Sequence, residues 1–122
     1  MYNATVLNHF ENPRHTGQID NPDGVASVGN PACGDMMKLF IRIEDGRIAE
    51  IKYKTFGCAA AIATSSAAAE LVLGKTIEEA LGLTKEDIVA YLDGLPAEKI
   101  ECSTLAPQAI RRAIADYRAR QS

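Results

Sequence analysis

The clearest pattern along the chain is an alternation of apolar and polar residues between positions 37 and 55. Residues 37–44 alternate, the pair Asp45-Gly46 interrupts them, and a second alternating run continues to position 55. Alternation with a period of two is typical of a half-buried strand, and Asp-Gly favours a type I′ turn because both central residues need positive φ. The pattern predicts a β-hairpin, to which residues 25–28 add a third strand.

Helical spacing dominates the rest of the chain. Five helices are predicted from apolar periodicity and from the residues that begin and end helices. The first covers residues 2–11 and stops at Asn12-Pro13, and the second covers the alanine-rich residues 59–73 and ends at Gly74. Two short helices begin at the capping boxes of Thr76 and Thr84, the later one closed by Gly94, and a last helix begins after Cys102.

Composition narrows the class of protein. With 122 residues, 47% hydrophobic and 24% charged, the chain has the size and make-up of one globular domain spanning residues 1–122. The net charge of −3 argues against nucleic acid as a partner. The least polar stretch, residues 58–73, is too short to cross a bilayer, so no membrane association is expected.

The three cysteines are an odd number, and residues 1–5 lack the pattern of a signal peptide. Together these features predict unpaired thiols in a reducing, cytoplasmic compartment. No two cysteines have the two-residue gap of a zinc knuckle or a thioredoxin motif, so spacing alone is a weak metal signal.

The residues around the cysteines strengthen that signal. Cys58 and Cys102 each precede a predicted helix, where the positive end of the helix dipole stabilises a thiolate. Cys33 is followed by Gly34 and Asp35, which add room for a close approach and a hard oxygen. Three thiolates and one carboxylate form a plausible site for zinc or iron.

Each of these residues also has an ordinary structural interpretation. The cysteines are equally well explained as buried packing residues, and Asp35 as the cap of a turn. His9 and His15 are expected on the surface rather than as ligands, and Glu101 is expected to be a solvated carboxylate.

Five segments resemble the IscU/NifU-type iron–sulfur cluster assembly scaffolds, in order and in spacing. They are Asn-Pro-Ala-Cys33-Gly-Asp, Thr-Phe-Gly-Cys58-Ala-Ala-Ala-Ile-Ala-Thr-Ser-Ser, Lys-Ile-Glu-Cys102-Ser-Thr-Leu-Ala, His9-Phe-Glu-Asn-Pro-Arg14 and Ala113-Ile-Ala-Asp-Tyr117. The resemblance implies an α+β fold, with a small antiparallel three-stranded sheet and about five helices packed mainly on one face.

The resemblance also implies a function. Such scaffolds accept persulfide sulfur from a cysteine desulfurase, combine it with iron into a transient [2Fe-2S] cluster and pass the cluster to recipient apo-proteins. The matching ligand positions are Cys33, Asp35, Cys58 and Cys102, with Cys102 our choice as persulfide acceptor. A frataxin-like iron donor is a further expected partner, zinc is an alternative metal, and the protein is expected to be a carrier rather than a classical enzyme.

Two positions depart from the family pattern. Glu101 stands where most members carry histidine, so no imidazole role carries over. We favour a solvated charge over a further oxygen ligand, because Asp35 already supplies an oxygen. The run Leu95-Pro-Ala-Glu-Lys99 replaces the Leu-Pro-Pro-Val-Lys that a dedicated Hsp70-type chaperone recognises, so the resemblance does not extend to chaperone dependence.

Two other functions compete with the scaffold hypothesis. A zinc-dependent sulfurtransferase resembling SufU would use the same cysteines, but such proteins usually carry an insertion between the second and third cysteine, and residues 59–101 match the shorter IscU-type spacing. A purely structural zinc domain is disfavoured, because a closed zinc site usually has a fourth cysteine or a histidine.

Overall fold

The structure is a computed structural model that describes residues 2–30 and 34–121. Its sheet has three antiparallel strands in the order β1-β2-β3, with β1 at Gly24–Asn30, β2 at Asp35–Glu44 and β3 at Arg47–Phe56. Asp45 and Gly46 join β2 to β3 with φ of 54° and 71°, the positive values that a type I′ turn requires. The predicted hairpin and third strand are confirmed.

Within the described residues the helices number five, as predicted, together with one 3₁₀ helix that was not predicted. Their bounds are α1 Ala4–Glu11, α2 Ala59–Val72, α3 Ile77–Leu81, α4 Lys85–Tyr91, the 3₁₀ helix Ala97–Thr104 and α5 Leu105–Gln121. Both capping boxes form, with Thr76 paired to Glu79 and Thr84 paired to Asp87. None of the described helices is long and apolar enough to cross a membrane.

The 3₁₀ helix changes the expected position of Cys102, which lies inside it rather than directly before a helix. Its cause is local. The hydroxyls of Ser103 and Thr104 donate to the carbonyl oxygens of Ile100 and Glu101, three residues earlier. Such side-chain bonds compete with the α-helical pattern and favour a tighter turn.

The helices cover one face of the sheet, which confirms the α+β architecture. Side chains on that face of β2 and β3 are almost fully buried, while Met36 and Lys38 face the other side and are exposed. The central members of the buried set are Met37, Leu39, Ile41, Ile48, Ile51 and Tyr53. Helix α2 packs closely because nearly all its buried residues are alanine, serine or threonine.

Helix α1 is fixed to α2 by a buried polar contact at His9. This side chain is 6% exposed, so the expectation that it lies on the surface was wrong. Its Nδ1 lies 2.8 Å from Ser66 Oγ, which also accepts the backbone N–H of Arg14 at 3.0 Å. Burial, aided by the nearby Arg14 charge, lowers the pKa of His9 and so favours the neutral ring. His15 is half-buried, with its Nε2 3.4 Å from a Glu70 oxygen.

Candidate metal centre

The end of the β2–β3 hairpin brings Asp35 and Cys58 together. Asp35 is the first residue of β2, next to the pairing of Met36 with Phe56, the last residue of β3. After Phe56 the chain turns through Gly57 into α2, whose N-cap is Cys58. The β-ladder therefore places the carboxylate beside the start of α2.

Gly57 makes this approach possible. Its φ is 154°, and a Cβ at this position would lie 2.1 Å from Asp35 Oδ1. Only a residue without a side chain lets the carboxylate come so near to the backbone.

Asp35 is 1% exposed, and both oxygens of its carboxylate face Cys58. Its Oδ1 accepts the backbone N–H of Cys58 at 3.1 Å, and its Oδ2 lies 3.9 Å from Cys58 Sγ. The Cys58 side chain makes no capping bond to α2, so its sulfur points into the site rather than back to the helix. One carboxylate thus fixes the backbone of Cys58 and faces its thiol.

The second sulfur comes from the 3₁₀ helix. Cys102 is 1% exposed, whereas Cys58 is only half-buried, and their Sγ atoms are 3.6 Å apart. Thr64 of α2 donates to the carbonyl oxygen of Cys102 at 3.4 Å, which ties the 3₁₀ helix to α2.

The oxygen and the two sulfurs all lie within 4.8 Å of one another. Two thiolates bound tetrahedrally at a Zn–S distance of about 2.3 Å would be separated by about 3.8 Å, close to the distance found between the two sulfurs. Two soft sulfurs and a hard oxygen suit zinc or iron. The arrangement can therefore bind a metal ion with little rearrangement.

Comparison with known proteins identifies the family. The family described as "NifU-like N terminal domain" matches residues 1–122. The chain belongs to this family. It is 56% identical over 117 residues to the iron-sulfur cluster assembly scaffold protein IscU 1 of Archaeoglobus fulgidus, covering 96% of this chain and 76% of that protein.

The similarity extends to eukaryotes and to a solved structure. The iron-sulfur cluster assembly enzyme IscU of Drosophila melanogaster is 50% identical over 125 residues, covering 99% of this chain and 80% of that protein. A crystal structure of the N-terminal NifU-like protein from Brucella abortus matches with a TM-score of 0.82 over 96% of this chain and 94% of that chain. At 22% identity, the latter supports the fold alone.

In this NifU-like domain the structure brings together three of the four expected ligands, Asp35, Cys58 and Cys102. Cys33 lies outside the described residues and stands two positions before Asp35 in the sequence. Glu101 is exposed, and it is not among the clustered groups although it is adjacent to Cys102.

Two residues near the centre were not singled out from the sequence. Gly57 carried one usable signal, since a glycine between a predicted strand and a predicted helix marks a tight connection. Tyr2 carried none. Burial raises the pKa of Tyr2; the positive charge of Lys99 opposes this increase, and negative charge on Cys58 and Cys102 adds smaller increases.

Proposed function

We propose that this NifU-like domain is a scaffold for iron–sulfur cluster assembly. On it a transient [2Fe-2S] cluster is built from iron and from persulfide sulfur supplied by a cysteine desulfurase, and is then transferred to recipient apo-proteins. The observation that carries the proposal is the convergence of Asp35, Cys58 and Cys102 within 4.8 Å beside the end of the β2–β3 hairpin. The cluster is the cargo of the protein, which acts as a carrier and not as a classical enzyme.

The proposed ligands are Cys33, Asp35, Cys58 and Cys102. Thiolates bind iron more durably than a carboxylate oxygen does. We therefore expect the bond between Asp35 and iron to break first when the cluster leaves. Support for this role comes from its position, because the hairpin holds the Asp35 carboxylate against Cys58.

Persulfide arrival requires an accessible thiol. Cys102 remains our proposed acceptor. Because its side chain is 1% exposed, we expect the 3₁₀ helix to move away from α2 while sulfur is delivered. Cys58, which is half-buried, is the more open of the two sulfurs in the present conformation.

The proposal also includes a cellular compartment, a domain assignment and a set of partners. Thiols that must bind iron require a reducing compartment, consistent with a cytoplasmic location. We propose residues 1–122 as one scaffold domain. Its proposed protein partners are a desulfurase, recipient apo-proteins and a frataxin-like iron donor, and neither nucleic acid nor a membrane is among its partners. The run Leu95-Pro-Ala-Glu-Lys99 gives no support for an Hsp70-type chaperone as a further partner.

We propose that zinc competes with iron for the site and is not the metal that the scaffold uses. A zinc-dependent sulfurtransferase resembling SufU is not favoured, because residues 59–101 contain no insertion beyond the IscU-type spacing. Zinc in a purified sample would not distinguish the two, since one tetrahedral ligand set accepts either metal.

The proposal is tested by anaerobic incubation of the protein with iron, cysteine and a desulfurase, followed by absorption and Mössbauer spectra. Sulfide-bridged iron bound to the protein is the expected result, with loss of the signal when an apo-ferredoxin is added. If no such iron forms while a zinc-loaded sample still accepts persulfide, the protein is a sulfurtransferase instead.

A further inference from the structure

A cluster contains sulfide, whereas a persulfide carries sulfur that is two electrons more oxidised. The scaffold proposal therefore leaves a reduction step to be explained. Among the residues that the structure describes, the thiols that lie next to each other in the site are those of Cys58 and Cys102, with their Sγ atoms 3.6 Å apart.

We propose that Cys58 and Cys102 form a resolving pair, in which a persulfide on one cysteine is attacked by the sulfur of the other. With the persulfide on Cys102, the thiolate of Cys58 attacks the inner sulfur, the bond between the two sulfurs of the persulfide breaks, and hydrosulfide leaves. The products are a Cys58–Cys102 disulfide and HS⁻. The inference rests on the proposed function, since it concerns the sulfur that the scaffold receives.

Atoms and electrons balance in this step. The two electrons that convert the sulfane sulfur to sulfide come from the two cysteines, which are oxidised to a disulfide. The disulfide then needs a dithiol reductant, which returns both thiols and becomes a disulfide itself. The same balance holds if the persulfide forms on Cys58 and Cys102 attacks.

The geometry suits attack on the inner sulfur. That sulfur is the cysteine Sγ itself, so the distance of 3.6 Å between the two Sγ atoms is the distance between the reacting atoms. Near-attack arrangements have separations of about 3–3.5 Å, and a finished disulfide bond is about 2.05 Å long. Only a small approach of the two sulfurs is needed.

The two sides of the pair are held differently, which allows that approach. Cys58 is fixed through its backbone N–H to Asp35, while its sulfur makes no capping bond to α2. Cys102 belongs to a 3₁₀ helix, whose hydrogen-bond geometry is weaker than that of an α-helix. A small displacement of Cys102 toward Cys58 therefore leaves α2 and the hairpin intact.

The test uses a desulfurase that has been loaded with persulfide and separated from free cysteine by gel filtration, so that no small thiol is present. It is mixed anaerobically with the reduced protein without iron. Released sulfide is measured by methylene blue formation, and the cysteine products are mapped by mass spectrometry under non-reducing conditions. Cys33→Ser is the matched control, because it removes a thiol but leaves the pair.

Wild-type protein and Cys33→Ser should release one hydrosulfide for each Cys58–Cys102 disulfide formed. Cys58→Ser and Cys102→Ser should release none above the desulfurase alone, and a persulfide should persist on the remaining cysteine of the pair. Loading the wild type with Zn²⁺ beforehand should suppress the release, because the metal binds both thiolates.

A stable persulfide on the wild type, undiminished release from Cys58→Ser, or a disulfide that involves Cys33 would each overturn the inference. Glutathione disulfide provides a second measurement, since it should give the same internal disulfide in the wild type and Cys33→Ser but only mixed disulfides in the other two variants. Mixed disulfides in the wild type would also overturn it.

Reconstitution with iron and inorganic sulfide separates this inference from the proposed function. A cluster that forms normally, together with a persistent persulfide in the first experiment, rejects the resolving pair and leaves the scaffold. Sulfide release without any cluster formation retains the pair and rejects the scaffold.

Discussion

The two halves of the metal centre are held in place by different kinds of structure. Asp35 and Cys58 lie on what we call the platform, the end of the β2–β3 hairpin with Gly57 and the start of α2, which the β-ladder and the bond between Asp35 and the Cys58 N–H fix. Cys102 lies on the 3₁₀ helix, in which the hydroxyls of Ser103 and Thr104 also donate to carbonyl oxygens three residues earlier. This helix is bonded to α2 at Thr64.

This difference suggests that the platform is rigid and that the 3₁₀ helix can adjust its position. Ladder bonds and a buried core resist movement together, because opening one exposes its neighbours. A 3₁₀ segment, whose backbone hydrogen-bond geometry is poorer than that of an α-helix, can shift at lower cost. Under the proposed function, we expect Asp35 and Cys58 to stay in place while Cys102 moves when a cluster is assembled or released.

Removing a sulfur from either half should give the greatest loss. Cys58→Ser and Cys102→Ser, like Cys33→Ser, are each expected to abolish stable cluster assembly, because the proposed site has no spare thiolate. Circular dichroism should still show a folded apo-protein, since the core does not depend on the metal. Normal cluster absorption in all three variants would mean that the ligand assignment is wrong.

Gly57→Ala should damage the platform alone. The new Cβ would lie 2.1 Å from Asp35 Oδ1 at a φ of 154°, so the carboxylate must move. We expect the affinity for Zn²⁺ or Co²⁺, measured by competition titration, to fall about 10- to 100-fold.

Gly46→Ala is the matched control for Gly57→Ala. Gly46 has a φ of 71° with open space around its missing side chain, so the substitution introduces backbone strain without displacing a ligand. Denaturant unfolding should show a loss of about 1–3 kcal/mol in this variant with unchanged metal affinity. Equal losses of affinity in the two variants would show that the contact with Asp35 is not what matters.

Asp35→Ala should make the protein hold its cluster longer and transfer it more slowly. Without the labile oxygen we expect a longer cluster half-life in air and slower transfer to an apo-ferredoxin. Because the Cys58 N–H loses its buried acceptor, the unfolding free energy should also fall by about 1–3 kcal/mol. Asp35→Asn keeps an acceptor and separates the two effects. Faster loss of the cluster with unimpaired transfer would contradict the role of Asp35.

Acid should weaken the contact of α1 with α2 through His9, a contact that lies outside the platform. The pKa of His9 is lowered in the folded protein, so the unfolded chain binds the proton more readily below its usual value of 6.5. The unfolding free energy should therefore decrease as the pH falls from about 7 to about 5. Denaturant titrations of His9→Gln should show a flatter pH dependence, and an unchanged slope would assign the effect elsewhere.

Glu101→Ala should have the smallest effect. An exposed carboxylate that does not bind iron leaves the cluster lifetime unchanged when it is removed. Loss of its negative charge should modestly speed alkylation of Cys102 in the apo-protein, because the thiolate no longer forms beside a like charge. A clear fall in cluster lifetime with Asp35 intact would make Glu101 a ligand.

Local interactions explain why so much of the fold could be predicted from the sequence. The turn at Asp45-Gly46 and the capping boxes at Thr76 and Thr84 depend on residues within a few positions of each other. Their chemistry favours the same local conformation almost wherever the segment lies in a protein. The 3₁₀ helix escaped prediction because its hydroxyl-to-carbonyl bonds do not alter the apolar periodicity that was used to find helices.

The metal centre required the folded chain. Asp35 and Cys58 are 23 positions apart and Cys58 and Cys102 are 44, so their contact depends on the ladder, the turn at Gly57 and the packing of the 3₁₀ helix on α2. The burial of His9 likewise depends on Ser66, 57 positions away. Closing such long segments costs chain entropy, and burial of the common core offsets this cost. Because both effects depend on the whole fold, no local sequence pattern predicts these contacts.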